Sequence, residues 1–180
     1  MYFCRINLGA YIVTLRAKLF FLIFLTMIGG CSPSLLELSA PPGRYQLFDL
    51  AKSSETATIA LKLSMTKFEN DAQWPSAAYV GFYQGENQDK SFQFMIVRYK
   101  ETNNYMDARY RVFEDGKQIK IVSLEKIELN KPVDISMTFA KGIVTISLNH
   151  GKPIEVQTKL TVVTPYVSVS SGTAEFDSRT

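Results

Sequence analysis

The sequence predicts an all-β domain, an antiparallel β-sandwich or barrel, and three observations support this fold class. Apolar and polar residues alternate over Thr58–Thr66, a period of two that is typical of a half-buried strand. Turn-forming residues recur about every 8–12 residues from Thr56 onward, a spacing typical of sandwiches and barrels. Only Leu124–Leu129 shows a trace of helical periodicity. The pattern therefore favours an antiparallel all-β fold.

Short strands joined by tight turns are expected along this part of the chain. Asp115-Gly116 is a strong hairpin signal because both residue types tolerate positive φ. Lys141-Gly142 and Asn149-His150-Gly151 predict two further turns. The expected strands are Thr58–Thr66, Ala78–Tyr83, Ser91–Tyr99, Asp107–Glu114, Lys117–Val122, Val133–Ala140, Val144–Leu148, Pro153–Gln157 and Tyr166–Ser170.

The first 30 residues have the pattern of a secretory signal peptide. Basic residues and no acidic ones accompany the apolar run Leu19–Ile28, and small residues follow it. The ending Ile28-Gly29-Gly30-Cys31 resembles the lipobox of bacterial lipoproteins. That resemblance implies cleavage before Cys31, a diacylglyceryl thioether on its sulfur and a further acyl chain on its amine. The protein is therefore expected to be an exported lipoprotein held at a membrane by its lipids.

An uncleaved transmembrane anchor is the alternative interpretation of this segment. Leu19–Ile28 has about half of the roughly 20 residues that span a bilayer. Arg16 and Lys18 separate it from the apolar stretch Leu8–Leu15. The sequence therefore favours the lipid anchor. By the same resemblance, Ser32 implies sorting to the outer membrane, because an aspartate at this position would retain a lipoprotein at the inner membrane. The long basic region leaves the true start codon open.

One lipid-anchored domain is expected after the signal peptide. Residues 1–30 are assigned to the signal, residues 31–55 to the lipidated N-terminus and a tether, and residues 56–180 to the β-sandwich. Ala40-Pro41-Pro42-Gly43 supports a tether, since paired prolines continue neither a helix nor a central strand. Cys4 is removed with the signal and Cys31 carries lipid. The domain is therefore expected to have no disulfide and no cysteine-based zinc site.

The charge of the expected domain excludes nucleic acid as a partner. Of the 20 Lys and Arg residues, Arg5, Arg16 and Lys18 lie in the signal, which contains none of the 17 Asp and Glu residues. The remainder has no net charge, and the basic character of the chain belongs to the signal. A neutral, well-mixed surface lacks the electrostatic footprint that binds nucleic acid.

Three segments in the C-terminal half carry a resemblance to a known fold family. Val133–Met137, Gly142–Asn149 and Pro165–Phe176 match an aliphatic strand, a Gly-x-Val-x-Ile-x-Leu-Asn hairpin and a closing strand. In this order they resemble the concanavalin A-like lectin/glucanase jelly rolls, especially the laminin-G-like branch. The resemblance covers residues 56–178 and is specific from Pro132 onward. It implies a jelly-roll sandwich, and it indicates fold more than activity because these residues shape turns and core.

The sequence lacks the catalytic pattern of that family's glucanases, a Glu-x-Asp-x-Glu strand that places two carboxylates about 5 Å apart. Glu114-Asp115 lies in a predicted turn, and Glu125 and Glu128 have the wrong spacing to share a strand face. His150 is the only histidine and lies in a predicted turn, which excludes sites with two histidine ligands. We therefore expect a protein that is not an enzyme.

Saccharide binding is the leading functional hypothesis, with candidates chosen by residue type and position. Flat aromatic rings pack on the apolar faces of sugars, while amides and guanidinium groups bind the hydroxyls. The segment 98–105 is polar and ends in an aromatic residue, as expected of a loop at a sandwich rim. Aromatic residues also fill sandwich cores, which is the competing interpretation. The candidates are Trp74, Tyr83, Arg98, Tyr99, Asn103, Asn104, Tyr105 and Arg109.

No cofactor is required by this hypothesis, although calcium is a possible one. Some laminin-G-like domains bind Ca²⁺ at one rim, and Asp71, Asp89 and Asp107 are acids near predicted loops. An ordinary surface role for these acids is the stronger interpretation. The expected partners are the membrane, through the lipid on Cys31, and a glycan or another envelope component. The competing hypothesis is a structural or protein-interaction module without a sugar ligand, and an enzyme ranks third.

Overall fold

A computed structural model describes residues 35–69, 74–86 and 88–178. The predicted signal peptide (residues 1–30), the lipidation site Cys31 and the calcium candidate Asp71 lie outside these residues. Within them the chain forms ten β-strands and no helix. The strands are β1 Leu35–Asp49, β2 Thr56–Phe68, β3 Ser76–Gln84, β4 Lys90–Arg98, β5 Tyr105–Glu114, β6 Lys117–Glu128, β7 Val133–Ala140, β8 Ile143–Leu148, β9 Ile154–Gln157 and β10 Thr164–Asp177.

The strands form one curled antiparallel sheet that folds over into two layers. Sheet A has the strand order β6-β5-β4-β3-β10-β1, and sheet B has the order β1-β10-β2-β7-β8-β9. Two strands belong to both layers. The first half of β10 pairs with β3 through Thr164–Ser170, and its second half pairs with β2 through Gly172–Asp177. β1 follows β10 along both halves.

A corner in β10 makes this change of sheet, and Ser171 is its centre. Ser171 has a φ of 47°, a left-handed conformation that turns the strand. Its carbonyl accepts hydrogen bonds from the amide of Glu69 at 3.0 Å and from the hydroxyl of Ser76. Its own hydroxyl accepts one from the amide of Gly43 at 3.1 Å. β1 bends at the same place, where its register shifts between Ala40 and Tyr45.

The hydrophobic core lies between the two layers and is built from alternate residues of the strands. Phe82 of β3 and Phe139 of β7 meet there, with ring centroids 6.1 Å apart. Inward-facing side chains of β4 and β10 are fully buried in the same cluster. The pattern of alternate apolar residues thus becomes the inner face of a sandwich, and the opposite faces of β3, β4 and β5 remain available for other groups.

The structure confirms the predicted fold class, an all-β antiparallel sandwich. Each predicted strand is present, usually longer than expected, and the trace of helical periodicity at Leu124–Leu129 belongs to the end of strand β6 and the turn after it.

The tether predicted over residues 31–55 requires a correction. Leu35–Asp49 forms strand β1, so the sandwich begins well before the expected boundary at residue 56. Pro41-Pro42-Gly43 lies at the bend of this edge strand, where a missing amide breaks no interior ladder. In the part of the chain that the structure describes, no helix is long and apolar enough to cross a membrane.

We predict that Gly172→Ala lowers the free energy of unfolding by about 3 kcal/mol, the upper end of the overpacking range. A Cβ atom at Gly172 would lie 2.4 Å from the backbone oxygen of Lys67, so β10 and β2 would have to separate at the corner. Urea titration followed by circular dichroism measures the change.

Gly85→Ala is the control, because a Cβ atom there meets nothing within 4 Å. Its only cost is the positive φ, about 1 kcal/mol. Equal losses of stability in the two variants would show that the close approach at the corner is unimportant.

Candidate functional site

The candidate site lies on the outer face of sheet A, which we define as the face turned away from the core. Strand register aligns its side chains in rows across the sheet. One row contains Asp49, Tyr166, Gly81, Gln93 and Arg111 on five successive strands. The next row contains Leu47, Ser168, Tyr79, Met95 and Arg109. Residues distant in sequence therefore meet on this face.

A shallow groove of about 140 Å³ lies on the outer face and follows strand β3. Trp74 stands before the start of β3 and Gln88 follows its end, so the groove extends along the strand. Its described lining contains a single charged residue, Arg111. The lining residues are Tyr45, Leu47, Trp74, Tyr79, Gln88, Gln93, Arg111, Tyr166, Ser168 and Ser170.

Two exposed aromatic residues form one end of the groove. The rings of Tyr45 and Trp74 are nearly parallel, 8° apart, with centroids separated by 6.2 Å in an offset stack. Tyr45 is 62% exposed and Trp74 is 41% exposed, although both have large apolar faces. An exposed pair of stacked rings is the surface that a partly apolar ligand ring covers favourably.

Tyr166 forms part of the groove floor because a glycine lies opposite it. The Tyr166 ring occupies the space above Gly81, where a Cβ atom would come within 3.0 Å of the ring and 2.3 Å of the Phe92 carbonyl. The ring also meets Tyr83 edge to face, at a centroid distance of 5.5 Å. An aromatic side chain packed across a glycine of the neighbouring strand stabilises both strands.

The hydroxyl of Tyr166 is buried and makes no hydrogen bond within the described residues. Gln93 lies close enough to act on the phenol, but its position falls short of hydrogen-bonding geometry. Burial raises the pKa of the Tyr166 phenol well above its ordinary value of 10.0, and the nearby positive charge of Arg111 opposes the rise only in part. The group is therefore a neutral hydrogen-bond donor at physiological pH.

Arg111 crosses the groove beside this hydroxyl and is held by three contacts. Its Nε donates a 2.7 Å hydrogen bond to Oε1 of Gln93. Its guanidinium lies over the rings of Tyr79 and Phe113, at 5.4 Å and 5.1 Å from their centroids. In the described residues no carboxylate lies within ion-pair distance of it.

Two serines complete the floor. The Ser170 hydroxyl donates to the carbonyl of Pro75 at 3.1 Å and lies 3.4 Å from the Tyr79 hydroxyl. Ser168 precedes it on the same face of β10 and is also buried. Small side chains at these positions leave the depression open while offering hydroxyl groups to a ligand.

Of the predicted ligand contacts, the structure places Trp74 in the groove and Tyr83 beside it. Tyr83 packs on Tyr166, and its hydroxyl donates a 3.0 Å hydrogen bond to Asp49. Burial, followed by this hydrogen bond, raises the pKa of Tyr83. Arg109 is on the outer face but outside the groove, 3.6 Å from Asp107 and with its guanidinium over the Tyr99 ring.

The remaining candidates belong to the loop between β4 and β5, away from the groove lining. Arg98 donates hydrogen bonds to the carbonyls of Asn103, at 2.9 Å, and Glu101. It therefore holds the loop together. Asn104 is exposed, and the Tyr105 ring carries the ammonium group of Lys126 4.1 Å from its centroid.

Sequence reasoning missed most of the groove because its residues lie within strands. Tyr45 stood in the assumed tether, and Tyr166 and Tyr79 looked like core residues of apolar strands. A signal was present at Gln93, a polar residue between Phe92 and Phe94, whereas Arg111 continues the polar face of β5 that includes Asp107 and Arg109. The missed lining residues are Tyr45, Leu47, Tyr79, Gln88, Gln93, Arg111, Tyr166, Ser168 and Ser170.

The acidic residues weighed in the sequence do not converge on the groove. Asp89 lies by the turn at Gly116, whereas Asp107 lies at the other end of β5. Glu114 pairs with Lys159 at 2.6 Å, and His150 is 91% exposed near Asp134. Among the described residues no group of three His, Cys, Asp or Glu side chains is placed to hold a metal ion.

Comparisons with solved structures place this fold among lectin-like jelly rolls. The carbohydrate-binding module CBM66 from Bacillus subtilis matches with a TM-score of 0.52 and 12% identity, over 73% of this chain and 78% of that chain. A functionally unknown protein from Saccharomyces cerevisiae matches with a TM-score of 0.56 and 9% identity, over 81% and 84%. Chicken galectin 2 has a TM-score of 0.46 and 12% identity, over 71% and 90%.

These similarities confirm the predicted jelly-roll fold and, at such identities, concern the fold alone. Alginate lyases also occur among the matches, with TM-scores of 0.46 and 0.43. No protein-family model matches the sequence. No curated protein matches it either.

We predict that Tyr166→Phe does not destabilise the protein and raises the free energy of unfolding by up to about 1 kcal/mol at pH 7. A buried hydroxyl without a partner costs about 1–3 kcal/mol, and the substitution removes it. The folded pKa of Tyr166 lies above the unfolded value. Ionisation of Tyr166 therefore does not change the free energy of unfolding below pH 10. At higher pH the unfolded tyrosine ionises first, and the free energy of unfolding falls. Tyr166→Phe should reduce this alkaline loss, measured by urea titration at pH 7 and above pH 10.

The control is Tyr83→Phe, which removes a hydroxyl that has a partner. Loss of the hydrogen bond to Asp49 is expected to lower the free energy of unfolding by about 1 kcal/mol. A larger loss in Tyr166→Phe than in Tyr83→Phe at pH 7 would contradict an unsatisfied hydroxyl in the groove floor.

Proposed function

We propose that the protein is a non-catalytic, lipid-anchored component of the cell envelope that binds a saccharide in the groove on the outer face of sheet A. The observation that carries the proposal is the pairing of an exposed aromatic wall with a polar floor. Tyr45 and Trp74 form the wall, and the floor holds the Tyr166 hydroxyl, Gln93 and Arg111. The similarity in fold to a carbohydrate-binding module supports it.

The groove has the chemistry that a sugar requires. A pyranose ring has an apolar face of C–H groups, which packs on the exposed ring of Trp74 or Tyr45. Its rim of hydroxyls needs donors and acceptors in fixed positions. Gln93, held by Arg111, and the buried serines of β10 offer such groups on rigid strands.

The absence of paired acids in the described groove supports a binding role over hydrolysis. Retaining and inverting glycosidases both need two carboxyl groups on either side of the scissile bond. The described lining residues include no Asp or Glu. The raised pKa of Tyr166 makes its phenol a poor general base at neutral pH, since it keeps its proton.

We predict that Trp74→Ala weakens saccharide binding about 5- to 30-fold, because a stacked aromatic contact and its buried area are worth about 1–2 kcal/mol. The full chain, purified in detergent, is screened against a panel of glycans and peptidoglycan fragments, with and without Ca²⁺. Titration calorimetry then measures the affinity of each hit.

Phe48→Ala is the matched control, since Phe48 is 47% exposed but does not line the groove. Its affinity should equal that of the unaltered protein. Binding that survives Trp74→Ala would place the site elsewhere, and a panel without any hit would remove the saccharide proposal.

The anchor is tested separately, because Cys31 lies outside the described residues. We predict that Cys31→Ser abolishes lipidation and moves the protein from the membrane to the soluble fraction of the cells. Metabolic labelling with a palmitate analogue and membrane fractionation measure both effects, and Cys4→Ser is the control that should change neither. Membrane retention of the Cys31→Ser protein would favour the uncleaved anchor.

A protein-interaction module is the second candidate function, and strand β6 favours it. β6 is an edge strand of sheet A, and it exposes Ile119 by 56% and Ile121 by 46%. Exposed apolar side chains on an open edge suit pairing with an added strand. Crosslinking in intact cells that recovers a specific partner, without dependence on saccharide, would support this candidate.

A further inference from the structure

We infer that the ligand of the groove is an acidic saccharide and that Arg111 binds its carboxylate. The inference rests on the proposed saccharide binding and specifies the class of sugar. It depends on three observations: the donors of Arg111 that remain available, the charge of the groove and the unpartnered hydroxyl of Tyr166.

Arg111 is oriented without being neutralised. A guanidinium has five N–H donors, and the Nε–H of Arg111 is used by Gln93. The rings of Tyr79 and Phe113 restrain the guanidinium plane. Within the described chain its terminal Nη groups have no hydrogen-bond acceptor and no carboxylate partner. A guanidinium held in this way presents a planar pair of donors, the geometry that binds a carboxylate through two hydrogen bonds.

Arg98 and Arg109, the other arginines near this face, direct their terminal groups to acceptors, although the Nε of Arg109 is buried without a hydrogen-bond partner. Arg109 lies 3.6 Å from Asp107, and Arg98 donates to two carbonyls of its own loop. Arg111 is therefore distinct in lacking an acceptor for its charge. Because it is the one charged side chain in the described lining, the groove is positive although the expected domain is neutral overall. Such a groove favours anions over neutral sugars.

Tyr166 supplies the third observation, which is independent of Arg111. Tyr166 lines the groove, and its hydroxyl is fully buried there without a hydrogen-bond partner within the described residues. Arg111 is close enough to influence its ionisation. A neutral phenol and a guanidinium side by side are both donors. A carboxylate, which only accepts hydrogen bonds, satisfies them together, whereas a sugar hydroxyl offers a weaker match.

The aromatic wall requires that this carboxylate belongs to a sugar. Tyr45 and Trp74 line the same groove as Arg111, so a ring stacked on the wall can direct a carboxylate toward the guanidinium. Uronic acids combine the two features in one residue. A sulfated sugar offers the same charge with tetrahedral geometry, and the experiment separates the two.

The test compares acidic oligosaccharides with their uncharged esters. The full chain in detergent is titrated with oligouronates of galacturonate, glucuronate and mannuronate, with the methyl ester of each and with sulfated neutral oligosaccharides of equal length. At least one oligouronate should bind about tenfold more tightly than its methyl ester, the effect of a charge-assisted hydrogen-bond pair. Arg111→Gln should remove that difference, so that the acid and its ester bind with affinities within about twofold of each other.

Two further variants keep the result interpretable. Lys120→Gln removes one positive charge from the same sheet, outside the groove, and should preserve the preference for the acid. Arg111→Lys keeps the charge and loses the planar fork, so it should retain part of the preference. Urea titration confirms that each variant is folded.

The outcomes separate this inference from the proposed function. Esters that bind as tightly as the acids, with binding still weakened by Trp74→Ala, would overturn the inference and leave saccharide binding intact. Tightest binding of sulfated sugars would overturn the assignment of a carboxylate. A protein that binds no saccharide in either series would overturn both.

Discussion

The passage of β10 through both sheets is the constraint on which the rest of the structure depends. Its first half supplies Tyr166, Ser168 and Ser170 to the groove, and its second half supplies Ala174 and Phe176 to the core. One strand can serve both the groove and the core because it turns at Ser171. Its first half belongs to sheet A and its second half to sheet B. The corner also sets the position of β1, which follows β10 and brings Tyr45 opposite Ser170. The aromatic wall is thus a consequence of the same bend that closes the sandwich.

The electrostatics of the groove follow from which charges have partners. Most ion pairs of the described chain lie at the exposed surface, where such pairs contribute little to stability. Arg111 and the Tyr166 hydroxyl instead lie on a rigid strand face with unused donors. Leaving such groups unsatisfied costs stability, and proteins retain such costs mainly at sites that bind a ligand. The groove is therefore distinguished from the rest of the outer face by these unused hydrogen-bond donors.

The fold could be predicted from the sequence because alternation and turn residues act locally. Thr58–Thr66 and Asp115-Gly116 specify a strand and a hairpin without reference to the remainder of the chain. Strand β1 could not be predicted in this way, since Pro41-Pro42-Gly43 is compatible with an edge strand only when a bend places it beside Ser171. The groove was equally hidden. It arises from register across five strands, and a single sequence does not show which residues of β10, β3, β4 and β5 stand side by side.

The loop candidates illustrate why residue type alone misplaces a binding site. Segment 98–105 has the composition of a sugar-binding loop, but Arg98 directs its donors to the loop's own carbonyls and the guanidinium of Arg109 is engaged by Asp107 and Tyr99. A donor engaged within the fold must break that contact before it binds a ligand, so its net contribution to affinity is small. The Nη groups of Arg111 and the hydroxyl of Tyr166 have no such hydrogen bond within the described residues. Both groups are oriented by neighbouring side chains on rigid strands, and a ligand that accepts from both benefits from that preorganisation.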